Sequence, residues 1–331
     1  MSDNAAIYAE MSQDQVAMTA LTDSGDNTFF QSADKLWSKR SGYSPDVKPN
    51  GVATGGAITP GASVNTVSVA ALTCYLAGTL TSVGASSSLA VARPSTSNYQ
   101  ILSITVTSVG ALAVVEGTEG SAFSDTRGAA GGPPLIPVGS IEVGQVKYSS
   151  QTSAVVLTSE IKQVVGTSKE MYNYPAWTEK RMNVENGALS YAGVEFDSAL
   201  PAIHTGGVPK GVYASYYTPE FAIVPETSDF VPPETSHSVS STQIYGKTKG
   251  SSSSNLGQGS FTAYLNDGIA DSIIGLKNEN LYFKFFQDRL ETSKYIICQG
   301  KLGITRSFPA DSGVTAACTV SAEDEAKEVT A

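Results

Sequence analysis

Residues 259–286 read GSFTAYLNDGIADSIIGLKNENLYFKFF, and the spacing of their apolar positions points to a β fold with one helical interruption. Phe261, Ala263 and Leu265 alternate with Thr262 and Tyr264, the period-2 pattern of a half-buried strand. Asn266-Asp267-Gly268 closes that strand, and Asp267 is placed to cap the next element. Ile269, Ile273 and Leu276 then fall at i, i+4 and i+7, which predicts one short helix over Asp267–Leu276. Leu281, Phe283 and Phe285 restore the alternation. Further on, Ile296, Cys298, Gly300, Leu302 and Ile304 mark a longer strand. FPADSG at 308–313 is a turn, and Ala316, Cys318 and Val320 are the inward positions of a final strand.

Around this stretch, residues 139–331 read as one β-rich domain. Ile141, Val143 and Gln145 alternate with Glu142 and Gly144, and further strand runs lie at 213–217 and 221–224. The segment Lys247–Ser254, with four consecutive serines, reads as a polar loop with little structure of its own. Residues 51–138 form a distinct block, punctuated by Gly55-Gly56, Pro60-Gly61 and Gly131-Gly132-Pro133-Pro134. Between Pro49 and Val115 the only charge is Arg93, and small hydroxyl and β-branched residues fill the rest, a composition suited to packed β structure. Either this block is a domain with a Ser/Thr surface or it meets other subunits. TSVGA occurs at 81–85 and again at 107–111, which predicts two similar hairpin turns in one small sandwich. Residues 1–50 read as a polar arm with isolated aromatics. Met11–Leu21 is expected as a short helix within it, and Phe29, Phe30 and Trp37, lacking local apolar mass, are expected to bury against a neighbouring subunit.

The 331-residue chain carries a net charge of −10. That balance disfavours wrapping nucleic acid, which takes cationic contacts to phosphate. The longest apolar stretch, Val67–Ala77, is far short of a bilayer crossing, and no apolar segment comes after the acidic start at Asp3, so neither a membrane span nor an export signal is expected. Cys74, Cys298 and Cys318 are odd in number and widely spaced, as reduced core residues are. His204 and His237 have no carboxylate or thiol at ligand spacing and are assigned to surface or interface. Phosphate loop, dinucleotide fingerprint and nucleophile elbow are lacking. We therefore expect no enzyme, no metal and no cofactor.

The order strand, short helix, strand, long strand, turn, strand is carried by GSFTAYLNDG (259–268), YFKFF (282–286), GKLG (300–303) and ACTVS (317–321). It resembles the major tail proteins, or tail tube proteins, of long-tailed non-contractile phages, and FVPPETSH (230–237) is similar to one branch of them. The resemblance covers 139–331. It implies a tail-tube-like β-sandwich or barrel with one short flanking helix, and 51–138 as an additional all-β domain on the outer wall. It further implies a virion protein, assembled in the bacterial cytoplasm into hexameric rings stacked around a DNA channel, with a tape measure protein, a tail terminator and tail-tip proteins as partners. In that setting the arm and the Lys247–Ser254 loop bridge rings. The alternative is a tail-tip adhesin or host-surface carbohydrate-binding module, with 51–138 as its recognition part.

A channel for DNA should repel phosphate, and an acidic chain has carboxylates to line it. The candidates are Glu195, Asp197, Glu220, Glu323, Asp324 and Glu325. The competing reading puts the excess acid outside, where it serves solubility.

Overall fold

The computed structural model describes residues 4–32, 35–181, 183–185, 188–190 and 192–330. Eleven strands make the main body and its projection: β1 (Ala6–Ala20), β2 (Asp46–Pro49), β3 (Val212–Ile223), β4 (Thr227–Val231), β5 (Thr235–Ile244), β6 (Lys247–Leu256), β7 (Gly259–Leu265), β8 (Asn280–Phe286), β9 (Lys294–Ser307), β10 (Val314–Ala322) and β11 (Lys327–Thr330). Nine of them form one antiparallel sheet in the order β4-β7-β10-β9-β8-β1-β3-β2, with β11 also on β9. The sheet is rolled. Phe230 of β4 stacks on Phe285 of β8 at 4.7 Å between ring centroids, yet four strand spacings separate these strands in the sheet, roughly 19 Å if it were flat. The Val224 N–H also donates to Ile7 O at 2.8 Å, joining the end of β3 to β1.

Side-chain alternation along the strands explains the closure. Phe261, Ala263, Leu265, Leu281, Phe283, Cys298, Leu302, Ile304, Ala316, Cys318 and Val320 share one buried cluster with Ile7 and Ala9. These are the inward positions expected from period 2. The fold is mainly β, as the sequence predicts.

Several local expectations are corrected. The predicted α-helix is a single 3-10 turn, Ser272–Leu276, with Asp271 rather than Asp267 before it. Ile273 and Leu276 are buried but Ile269 is 73 % exposed, and an i, i+3 pair is satisfied equally well by a 3-10 turn. Met11–Leu21 is not a helix. It lies largely in β1, which runs between β8 and β3. The Lys247–Ser254 loop is strand β6, paired with β5 from Thr235–Leu256 to Ile244–Lys247. Cross-strand hydroxyl pairs stabilise it, with Ser238–Ser253 and Ser240–Ser251 each 2.8 Å apart.

The strand Ile141–Tyr148 pairs with Gln100–Val106, so the boundary expected at 138/139 falls within one module. This module has its own core, from Val52 to Val156. Of the two TSVGA repeats, 107–111 is a hairpin turn closed by Thr107 N–H to Ala111 O at 2.8 Å. The other joins Thr79–Val83 to Ser86–Ala90, which lie in different sheets. A separate small sheet, from Trp177–Lys180, Gly193–Phe196, Phe29–Gln31 and Thr22–Asp23, stands beside the rolled sheet.

Candidate functional site

The β5–β6 hairpin is the most unusual surface of the molecule. From Ser236 to Leu256 every residue is exposed, and ten register pairs join the two strands to each other. At about 3.3 Å per residue each strand reaches roughly 33 Å. The connection is Tyr245-Gly246. Gly246 takes φ +82°, open to glycine without strain, and the Tyr245 ring stands wholly in solvent.

The three aromatics expected to dock on a neighbour are internal. Phe29, Phe30 and Trp37 are all buried within their own chain. Trp37 stacks on Tyr216 at 5.1 Å, and Phe30 meets Phe196 edge-on at 5.6 Å. The core that receives Phe30 and Trp37 includes Val194, Phe196, Val212 and Tyr216, more than 150 positions away in sequence. A reading confined to residues 1–50 has no sight of it.

The candidate channel acids lie on three separate elements. Glu195 stands on Gly193–Phe196 with Asp197 just beyond it, Glu220 on β3, and Glu323, Asp324 and Glu325 between β10 and β11. Glu195 pairs with Lys180 at 3.0 Å and Glu323 with Lys39 at 2.7 Å. Glu325 accepts the Thr235 N–H at the root of the hairpin. Glu220 accepts from the Ser12 hydroxyl directly across the β1–β3 ladder. Asp14, two residues on from Ser12, shares that exposed face, so an acidic stripe runs over β1 and β3. Asp14 has no place among the candidates when Met11–Leu21 is taken as a helix, because helical spacing does not set it beside Ser12.

A second cluster lies where the 51–172 module meets the rolled sheet. Lys210, just before β3, is buried and donates from Nζ to Met171 O and Tyr174 O, both at 2.7 Å. Burial pushes its ammonium down to about 8. Burial raises Glu170, whose carboxylate accepts the Glu142 N–H at 2.8 Å. Glu142 is itself buried and paired with Arg127. The cavity between them is about 320 Å³. His204, placed at the surface from sequence, is buried here, with Nε2 3.0 Å from Ser140 O and Nδ1 3.3 Å from Val208 O. The polar groups of this seam are spent on backbone carbonyls and amides and on each other, an arrangement that fixes two modules together. His237 stands exposed on β5.

All three cysteines are free and buried. Burial pushes Cys298 and Cys318 up to about 12, so both are inert thiols at neutral pH. Compared with known proteins, the chain matches no family model, no curated protein and no solved structure.

Proposed function

We propose that the chain is a structural subunit of a phage tail tube, polymerising as stacked rings around a channel through which DNA passes during ejection. The observation that carries this reading is the β5–β6 hairpin. A lone two-stranded hairpin is at best marginally stable in water, and its outer edges offer unpaired backbone groups to another chain. This one projects with no covering surface of its own, and its length suits an arm laid on a neighbouring copy. The resemblance of 139–331 to tail tube proteins supports the same reading, and the rolled sheet gives the wall a rigid unit. On this reading no residue is assigned a catalytic role. The acidic stripe of Asp14 and Glu220 joins Asp197 and Asp324 as candidates to face DNA, whereas Glu195 and Glu323 already have ammonium partners.

Negative-stain imaging of the purified protein tests the proposal. Filaments of uniform width with a stained bore are expected. Discrete trimers or monomers would refute it in favour of an adhesin or carbohydrate-binding module. In an assembled tube, a bore without net negative potential would overturn the acid lining alone.

A further inference from the structure

The hairpin is cationic in an acidic chain. Between Thr235 and Leu256 it carries Lys247 and Lys249 and no Asp or Glu. Lys247 follows the Tyr245-Gly246 turn at the tip, and Lys249 lies two register pairs further down, opposite Thr242. A projecting Tyr flanked by cations is the kind of anchor that fills a pocket on a partner, since aromatic residues dominate interface hot spots.

A groove of matching character lies on the same molecule. It encloses about 370 Å³ between Val224, Pro225 and Ile273, with Glu226, Asp267 and Asp271 around it. Backbone N–H groups of Asn266, Asp267 and Gly268 hold the Asp271 carboxylate in place. Asp267 in turn accepts from Ile269 and Ala270. Asp267 and Asp271 are thus fixed in position and do not need to be ordered on binding, and the Glu226 backbone is held by the Tyr264 N–H.

Topology sets the direction. The β4–β7 ladder pairs Thr227 with Ala263 and Val231 with Ser260. The groove lies beyond the Thr227–Ala263 end, at Glu226 and Leu265, and the hairpin springs from the Val231–Ser260 end. The root of the hairpin and the groove therefore sit at opposite ends of one strand pair, an arrangement that favours a groove on a neighbouring copy. We propose that the Tyr245–Lys249 tip of each copy seats in the Glu226–Asp271 groove of the next. The contact is heterologous, so each subunit accepts one neighbour and reaches another, and the chain of contacts extends along one direction. This inference rests on the tube reading and names the surface through which it operates.

Charge exchange and a cross-link test it. The double variant K247E/K249E should raise the concentration needed for polymer about tenfold or more, with unchanged monomer melting. Adding Glu226→Lys to that variant should restore much of the loss. A double variant that polymerises like the parent, or a loss that Glu226→Lys leaves untouched, overturns the groove as receptor while the tube reading stands. In Y245C/A270C, oxidation should give a ladder of covalent dimers, trimers and higher species on a non-reducing gel, because the three native thiols are buried. Absence of a ladder from assembled protein likewise overturns the contact. A parent chain that never forms filaments overturns the tube reading and this inference together.

Discussion

Trp37 shows how far a single side chain departs from its local sequence. Apart from Leu36 its neighbours are polar, yet it is fully buried against Tyr216. Trp37→Ala should therefore destabilise the isolated subunit by about 3–5 kcal/mol, the usual cost of truncating a buried aromatic, read by chemical denaturation of the monomer. An unchanged monomer with weakened filaments would instead place Trp37 at a subunit contact. Glu119 is a second decisive residue. Its carboxylate takes backbone N–H groups of Ser95, Thr96 and Ser97 at 2.7 Å each. The bond from the Thr96 hydroxyl, with these backbone bonds, holds it down at about 2. A depressed carboxylate supports its loop fully above the unfolded value near 4.5 and loses that support as pH falls through about 2. Amide exchange at Ser95–Ser97 should stay slow down to about pH 3 and speed up below it. Glu119→Gln should make it fast at every pH, and equal protection in that variant would show that the carboxylate does not hold the loop.

Among the elements, the hairpin should behave as a unit separate from the rolled sheet. Gly246→Ala forces a Cβ into the left-handed region at φ +82°, costing about 1–2 kcal/mol. Because β5 and β6 are paired only with each other in the sheet order, the cost should appear as loss of amide protection over Thr235–Leu256, with global melting unchanged. A lowered global melting point would mean that the hairpin and the rolled sheet unfold together. The strands of the sheet are legible from sequence because period 2 is a local signal: Phe261, Ala263, Leu265 and Ala316, Cys318, Val320 all face the core as their spacing requires. The hairpin is not legible, because a strand exposed on both faces has no apolar alternation, and its serines read as loop. β1 escapes for a related reason. Its place between β8 and β3 comes from backbone pairing with segments more than 190 residues away, and its outer half presents Ser12 and Asp14 to solvent. The groove and the acidic stripe depend on which strand ends come together, which spacing along the chain does not encode.

Taken whole, the molecule is a rolled sheet whose chain is interrupted by the 51–172 module, by the strands of the small sheet beside it and by the β5–β6 hairpin. The inserted module leaves after β2 and returns beside its point of departure. Val52 N–H donates to Glu170 O at 2.8 Å, and Tyr172 N–H donates to Val52 O at 3.2 Å. The approach is close enough that a Cβ at Gly51 would collide with the Tyr172 backbone. Ends this near place no strain on the host when the segment between them is removed. The module has its own core, and its seam with the host is polar, centred on Lys210. Replacing residues 52–171 with a linker of about four Gly and Ser residues should give a folded β protein. Lys210 then loses Met171 O but gains water, so its amine should titrate closer to an ordinary lysine, above the value of about 8 that burial imposes. If the module sits on the outer wall, the shortened chain should still form filaments, narrower than those of the full chain under negative stain. A shortened chain that folds and melts cooperatively but stays monomeric would place part of the assembly surface on the module itself. One that does not fold would show that the seam around Lys210 and Glu170 holds the rolled sheet together.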